Sequence, residues 1–454
     1  MLTRRGFLAR AAAGVVLVGA GQVLLTAPNA AAAPVVPGYG PLHDDPDGLL
    51  ALPAGFSYRL VTAAGRTRLE SGEPTPGFHD GTGAFARRGG GTLLVVNHEV
   101  REPLADAEHP VPPLDGLTYD PAMAGGCTIV EADAQGARLR EVVGLAGTST
   151  NCAGGITPWR TWLSCEETET REGEGGARHD HGYVFEVDPY TPAANRDPVP
   201  IRALGRFPHE AAAVDPATGA IYLTEDAARP NGLLYRWSPP AGFRPGRGAL
   251  RRLGPADGLL AAMRCTDGAG RPVDDLSRAT EVGTRYTVEW VPVDDRAARK
   301  QSTRTQLGNG DVTRARKLEG AWWSSDVGRG AGAYVVSSFA RDESPVPHDG
   351  QVWFLDPKAG TLTLRLRFGR GEDDVDGPDN ISVSPWGGLV IAEDGEGSQH
   401  LVGATADGRT YPIARADGGE FTGPVYSADG AVLFANVQVP GALYAITGPW
   451  RRAG

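Results

Sequence analysis

One pattern returns six times along the chain and limits the folds that it can adopt. In each copy, a turn containing Gly, Pro or Asp leads into a short apolar strand, and the strand ends in a polar or acidic residue. The copies occupy residues 91–99, 162–167, 220–226, 333–338, 388–394 and 431–436. Repeats on this scale are typical of propellers and solenoids, and short strands separated by turns favour a β-propeller. A β-sandwich is the alternative, but it gives no reason for the polar strand end to recur.

The glycine and proline content points to the same fold class. The 454 residues include 63 Gly and 36 Pro, the two poorest helix formers, which excludes a helical bundle. Apolar residues make up 41% of the chain, so it is not disordered. We therefore predict an all-β fold, a six-bladed β-propeller with an inter-blade insertion, formed as a single domain by residues 34–454.

One interval interrupts the repeat. Residues 238–321 are predicted to form an insertion between blades that contains short helices and lies over one face as a lid. Within this interval, residues 259–263 have a helical pattern, and residues 289–293 have the pattern of a strand. Residues 302–315 are polar and are predicted to be the mobile part of the lid.

The N-terminus has the layout of an export signal. Arg4 and Arg5 precede Phe-Leu and an apolar stretch that ends at Leu25, and four alanines follow at residues 30–33. This order is typical of a cleaved twin-arginine signal peptide, and the apolar stretch is too short for a spanning helix. We predict that residues 1–33 are the signal, that the protein is secreted or located in the cell envelope, and that it has no stable membrane anchor.

The net charge and the acidic strand ends indicate bound cations. The net charge of −11 excludes a nucleic-acid partner, which requires a basic surface. Equivalent strand ends in a propeller converge on one central site, and four of them are glutamates: Glu99, Glu166, Glu225 and Glu393. Asn436 ends the last copy, and Glu210 and Asp379 each precede a further strand. Carboxylates this close together repel each other unless cations bind, and oxygen ligands suit Ca²⁺, Mg²⁺ or Mn²⁺.

The cysteines and histidines allow several interpretations. Four cysteines are available for disulfides in an exported protein. Cys165, next to Glu166, is either a metal ligand or a buried structural cysteine, and a thiolate would select iron, copper or zinc over calcium. His79 and His181 are predicted to lie in surface turns, and the alternative for His181 is a position near the acidic strand ends.

Residues 313–320 place basic side chains beside Glu319, with Lys317 two residues before it. A cation that faces a metal–carboxylate cluster suits a phosphate ester, because it neutralises charge that develops during reaction. A solvated surface charge run is the alternative.

Several motifs together resemble the PhoX-type alkaline phosphatases. The motifs occupy residues 97–99, 151–159, 165–167, 209–210, 317–320, 377–380, 421–424 and 436–440. The resemblance implies a six-bladed propeller, twin-arginine export and hydrolysis of phosphomonoesters. It also implies a cluster of iron and calcium ions, with a cysteine among the iron ligands.

The same resemblance implies roles for individual residues. The implied metal ligands are Glu99, Cys165, Glu166, Glu210, Glu319 and Asp379, and further candidates are Cys152, Glu225 and Glu393. Lys317 and Asn151 are the implied catalytic residues. The family usually has arginine where this chain has Lys317, and lysine cannot make the bidentate phosphate contact of arginine.

These observations predict a secreted, metal-dependent phosphatase that acts as a monomer on a small phosphate ester. A calcium-dependent propeller lactonase or other hydrolase is one alternative, and a non-catalytic propeller that binds a partner is another. Metal content separates the three, because the first requires iron with calcium, the second calcium alone, and the third neither.

Overall fold

The structure is a computed structural model that describes residues 37–451 apart from 47, 326–329, 342–343 and 372–374. The predicted signal peptide at residues 1–33 lies outside the described residues. The described chain is all-β, with short 3-10 helices at Glu174–Gly176, Pro192–Asn195, Arg202–Leu204, Leu250–Arg252, Leu276–Arg278 and Thr303–Thr305. In this part of the chain, no helix is long and apolar enough to cross a membrane.

The strands of the first half of the chain are short and closely spaced. They are β1 (Leu42–His43), β2 (Leu52–Pro53), β3 (Ser57–Ala63), β4 (His79–Ala86), β5 (Thr92–His98), β6 (Gly125–Ala132), β7 (Arg138–Thr148), β8 (Asn151–Ile156), β9 (Trp162–Glu166), β10 (Val184–Val187), β11 (His209–Val214), β12 (Ile221–Glu225) and β13 (Leu234–Ser238).

The second half continues in the same way. Its strands are β14 (Leu259–Thr266), β15 (Pro272–Val273), β16 (Arg285–Pro292), β17 (Leu318–Ser324), β18 (Gly332–Ser337), β19 (Gly350–Asp356), β20 (Thr361–Phe368), β21 (Pro378–Val383), β22 (Leu389–Glu393), β23 (Gln399–Ala404), β24 (Thr410–Ala416), β25 (Phe421–Tyr426), β26 (Val432–Val437) and β27 (Ala442–Thr447).

Antiparallel sheet units follow one another around a ring. Strands β4–β7 and β21–β24 form four-stranded sheets, β8–β10 form a three-stranded sheet, and β25–β27 are completed by β3. Strands β11–β14 and β17–β20 have the same order, but β16 pairs with both β14 and β20 and joins them in one ten-stranded sheet. The first strands β4, β8, β11, β17, β21 and β25 each contact the next, and β25 contacts β4. This arrangement confirms the predicted all-β propeller class, whereas the number of six blades stays a prediction because β16 merges two units.

The repeated sequence segments are the second strands of the units. They correspond to β5, β9, β12, β18, β22 and β26. All residues of β5 are buried, because sheets pack against both of its faces. A strand covered on both sides carries a continuous apolar run, which explains why the pattern could be recognised in the sequence.

The predicted helix at residues 259–263 is a strand. These residues belong to β14, which pairs with β13 on one side and β16 on the other. Leu260 and Met263, on opposite faces of β14, are both buried, and a short apolar run of this kind does not distinguish a buried strand from a helix. The predicted insertion at residues 238–321 stays a prediction. Its predicted strand at 289–293 lies largely within β16, and its role as a lid stays a prediction.

The ring is closed by β3, which comes from the N-terminal part of the described chain. Strand β3 pairs with β27 from Ser57 opposite Thr447 to Ala63 opposite Ala442. Val61 of β3 belongs to the apolar core between the last and the first sheet, together with Leu94, Phe434 and Leu443. Contacts between residues that are far apart in sequence therefore hold the two ends of the domain together.

We expect this closure to depend on one face of β3. Val61→Ala removes two methyl groups from a side chain that is 2% exposed, and should lower the free energy of unfolding by about 2 kcal/mol. Leu60→Ala, at the neighbouring position that is 36% exposed, should cost less than about 0.5 kcal/mol. Denaturant unfolding of both variants measures the difference, and equal losses would contradict the closure described here.

Candidate metal centre

Each first strand is interrupted near its beginning by the same irregularity. Two residues of the first strand lie opposite one residue of the second strand in all six units, and the pairs are 80–81, 152–153, 210–211, 319–320, 379–380 and 423–424. Such β-bulges redirect a side chain out of the regular alternation. In five units, the first bulge residue can bind a metal: Asp80, Cys152, Glu210, Glu319 and Asp379.

In four of these five units, the residue after this side chain is glycine or alanine, because the first strands approach one another closely. A Cβ atom on Gly81 would lie 2.5 Å from the Cα atom of Ala153, and one on Gly320 would lie 2.7 Å from the carbonyl oxygen of Asp379. The bulges therefore bring backbone segments from neighbouring units together beneath the redirected side chains.

Seven side chains form a continuous cluster, which we call the acidic cluster. Three groups each have ligand atoms within 4.8 Å of one another, and they consist of Asp80, Glu99 and Cys152, of Cys152, Glu167 and Glu210, and of Glu210, Glu319 and Asp379. Cys152 and Glu210 are each shared by two groups. The Sγ atom of Cys152 lies 3.6 Å from Oδ2 of Asp80.

Six members of the acidic cluster, all except Glu210, line a cavity of about 390 Å³. Residues that follow the second strands, namely Glu99, Glu167, Asp226 and Asp394, line the same cavity with Glu420. Two cations also line it, Arg101 and Lys317. The Nζ atom of Lys317 lies 2.9 Å from Oε1 of Glu319 and 3.7 Å from Oδ2 of Asp226.

The acidic cluster contains buried oxygen atoms without a partner. Both carboxylate oxygens of Glu210 and Oδ1 of Asp80 have no hydrogen-bond partner among the described residues. Burial of such atoms is unfavourable unless a donor or a cation satisfies them. Six carboxylates and one thiol are suitable ligands for a mixed site, since carboxylates bind hard cations and a thiolate binds softer ones.

Burial and mutual repulsion disfavour the charged forms of these groups. Burial, and then the charges of Glu319 and Asp379, raise the pKa of Glu210 well above its usual value. The pKa values of Asp80 and Asp379 rise for the same reasons, and burial with the charge of Asp80 raises the pKa of the Cys152 thiol. Bound cations reverse this balance because they stabilise the deprotonated forms.

The structure brings together four of the predicted ligands and separates others from them. Glu99, Glu210, Glu319 and Asp379 lie in the acidic cluster, and so does the candidate Cys152. Cys165 instead lies in the apolar core with Leu163, Val184 and Phe207. Cys152 therefore replaces Cys165 as the cysteine of the site. All four cysteines are buried and free of disulfides.

Glu166 lies behind the site rather than in it. Its carboxylate accepts hydrogen bonds from the backbone N–H groups of Ser149, Gly182 and Tyr183, and Oε1 lies 2.6 Å from Nδ1 of His181. The next residue, Glu167, belongs to the acidic cluster. Side chains alternate between the two faces of a strand, so the prediction is corrected by one residue.

The candidates Glu225 and Glu393 require the same correction. Glu225 accepts hydrogen bonds from the Tyr235 hydroxyl and the Leu233 N–H, and Glu393 accepts one from the His400 N–H. Their successors, Asp226 and Asp394, face the cavity.

Two asparagines and two histidines also differ from the predictions. Asn151 donates to Ser164 Oγ at 2.9 Å and accepts from Thr148 at 2.6 Å, so it supports the start of β8 instead of lining the cavity. Asn436 donates to the carbonyl oxygen of Asp80 and supports the first bulge. His79 and His181, predicted in surface turns, are fully buried.

Sequence reasoning missed two members of the acidic cluster, Asp80 and Glu167. A signal for Asp80 was present, because His79-Asp80-Gly81 has the same order of histidine, acid and small residue as His209-Glu210-Ala211. For Glu167, the sequence does not show which of the two adjacent acids, Glu166 or Glu167, faces the cavity. Only the position of β9 in its sheet decides between them.

Comparison with known proteins adds a family and a fold. A family model described as alkaline phosphatase PhoX matches residues 37–144 and 134–441. The solved structure of Pseudomonas fluorescens PhoX in complex with vanadate, a transition state analogue, is similar with a TM-score of 0.66 and 17% identity, and the match covers 91% of this chain and 98% of that chain. At this identity, the similarity shows a shared fold.

A further solved structure is more distant. A gluconolactonase from Xanthomonas campestris matches with a TM-score of 0.38 and 16% identity, over 91% of this chain and 98% of that chain. No curated protein matches the chain.

We expect the metal-free protein to lose stability as the pH rises. The raised pKa values mean that the folded state holds protons on Glu210, Asp80 and Asp379 that the unfolded state releases above a pKa of about 4. The stabilising effect of protonation is complete below that pH and is lost as the pH increases. The melting temperature of chelator-treated protein should therefore fall between about pH 5 and about pH 8.

Glu210→Gln should make this decline smaller, because glutamine does not ionise. Glu289→Gln, at an exposed position of β16, should leave the decline unchanged. A melting temperature that is constant or rises over the same pH range would contradict the electrostatic description of the cluster.

Proposed function

The chain belongs to the alkaline phosphatase PhoX family, and from this premise we propose that it hydrolyses phosphate monoesters at the cavity lined by the acidic cluster. The observation that carries the proposal is the cluster itself, in which seven carboxylate and thiol side chains suited to bind metal ions meet beside two cations. The proposed substrate is a small phosphate ester, and the proposed active species is a monomer.

The acidic cluster fits a resident group of metal ions. We propose that iron and calcium bind there, because Cys152 provides a soft ligand and six carboxylates provide hard ones. When bound, the ions supply Lewis-acid polarisation of the phosphate oxygens and neutralise their charge.

Lys317 is the proposed residue that stabilises the transferring phosphate. The charge of Glu319 raises the pKa of Lys317, so its ammonium group stays protonated at the pH of the reaction. Its backbone has a φ of 45°, and the Ser338 N–H donates to its carbonyl oxygen at 2.8 Å. This anchored conformation directs the ammonium group over Glu319 and Asp226, where it can meet the phosphate and offset developing negative charge.

We expect the two central cysteines to differ in their effect on activity. Cys152→Ser should lower kcat/KM for a chromogenic phosphomonoester by about 100-fold, because loss of a direct ligand costs at least as much as loss of its supporting groups. Cys165→Ala should retain activity, because Cys165 lies in the apolar core. Steady-state kinetics and elemental analysis of each purified variant provide the measurement.

The metal content tests the proposed function more broadly. Iron together with calcium in the purified protein, and loss of hydrolysis after treatment with a chelator, are the expected results. Hydrolysis that survives complete removal of metals would rule out the proposal. Calcium alone with lactone hydrolysis would favour the lactonase alternative, and a stable metal-free protein without activity would favour a binding protein.

We also propose that the protein is exported through the twin-arginine pathway, on the basis of Arg4, Arg5 and the apolar stretch after them. Replacement of both arginines by lysine should retain the protein inside the cell, because that pathway requires the paired arginines. Fractionation of cells expressing the unaltered and the altered chain measures the effect. Equal export of both would contradict the proposed route.

A further inference from the structure

The cavity has a second cation that the sequence motifs do not include. Of the residues that line it in the described part of the chain, Arg101 and Lys317 are the cationic ones. Lys317 precedes β17, whereas Arg101 follows β5, so the two side chains come from different sheet units. The Arg101 side chain is 68% exposed, which places its guanidinium at the mouth of the cavity.

The backbone around Arg101 is fixed. The Val100 N–H donates to the carbonyl oxygen of His98 at 2.8 Å, and the Thr150 N–H donates to the carbonyl oxygen of Val100 at 3.0 Å. From this support, Nε and Nη2 of Arg101 both reach Oε1 of Glu99, at 3.0 Å and 2.5 Å, and Nη2 lies 3.6 Å from Oε2 of Glu167. The guanidinium therefore lies directly above the acidic cluster.

The two cations approach carboxylates that line the same cavity. Nη2 of Arg101 lies 3.6 Å from Oε2 of Glu167, and Nζ of Lys317 lies 3.7 Å from Oδ2 of Asp226. Because Glu167 and Asp226 both line the cavity, Arg101 and Lys317 converge on it from two different sheet units.

The other arginines near Lys317 are engaged elsewhere. Arg316 donates to the Asp275 carboxylate at 3.0 Å and 2.8 Å. Arg314 donates to the Asn309 side chain and to the carbonyl oxygens of Asn231, Arg304 and Leu307. Neither lines the cavity, so neither is placed to supply the planar contact that Lys317 lacks.

We propose that Arg101 binds the phosphate group of the substrate opposite Lys317. This inference rests on the proposed phosphatase function and assigns it a further binding residue. Nε and one N–H of Nη2 donate to Glu99, so the planar guanidinium presents to a phosphate the remaining N–H groups of Nη1 and Nη2, a paired contact that a lysine ammonium cannot make. Arg101 thus supplies from another sheet unit the bidentate contact that is missing at position 317.

Calorimetric titration of the purified holoprotein with inorganic phosphate tests the proposal. Arg101→Gln should weaken phosphate binding by at least about tenfold, since a charge-assisted hydrogen bond contributes about 1.5–3 kcal/mol. Arg101→Lys should weaken it less, because the charge remains. Arg271→Gln is the matched control, because Arg271 is 79% exposed and pairs with Asp267 at 2.8 Å away from the cavity, and it should bind phosphate as the unaltered protein does.

A double variant separates binding from a structural role. If Arg101 contacts phosphate, Lys317→Arg should restore part of the affinity that Arg101→Gln removes, with metal content unchanged by elemental analysis. If Arg101 only balances the charge of Glu99, the Arg101→Gln variant should contain less metal or have a lower melting temperature. In that case, adding Lys317→Arg should not restore phosphate binding.

The outcomes distinguish this proposal from the proposed function. Unaltered phosphate binding in Arg101→Gln would overturn the role of Arg101 while activity of the unaltered protein still supports the phosphatase. Absence of both phosphate binding and hydrolysis in the unaltered holoprotein would overturn the proposed function, and with it the role of Arg101.

Discussion

Repulsion within the acidic cluster is the interaction on which the rest of the structure depends. Six carboxylates and a thiol occupy one buried region, and nothing in their mutual charges favours that arrangement. The apolar cores between neighbouring sheets must therefore provide the stability that keeps them together. Leu94 and Phe434 in one core, and Leu163 and Phe207 in another, are fully buried. A ring of sheets can hold such a cluster because each sheet is fixed by neighbours on both sides.

The repeated bulge converts this ring into a binding site. A regular strand would direct alternate side chains into the two neighbouring sheets, and no side chain would point along the ring axis. The bulge at the start of each first strand releases one side chain from that alternation. Asp80, Glu210 and Asp379 reach the centre in this way from separate units. In the last unit, the bulge falls at Gly423, and Gln438 contacts Asp80 and Glu99 instead.

The sequence predicted the propeller class and the second strand of each unit because buried strands carry a local apolar pattern. It also predicted Glu99, Glu210, Glu319 and Asp379, because each stands next to such a strand. The choice between Cys152 and Cys165 depended on the face of β8 and β9 that each occupies, and a shift of one residue exchanges the faces. The bulge at residues 152–153 and the packing of β8 against β4 and β11 determine that face, and β4 and β11 are distant in sequence. The strand β14 was mistaken for a helix for a similar reason, since both of its faces are covered by elements distant in sequence.

The paired acids at the ends of the second strands show how this register is fixed. In Glu166-Glu167, Glu225-Asp226 and Glu393-Asp394, the first acid accepts a hydrogen bond from a backbone N–H within one residue of the start of the third strand. That hydrogen bond connects the end of one strand to the beginning of the next. It also holds the first carboxylate away from the cavity, where its charge would add to the repulsion within the acidic cluster. The second acid is then held one position further on, facing the cavity. The same short sequence thus supplies a support and a carboxylate that faces the cavity.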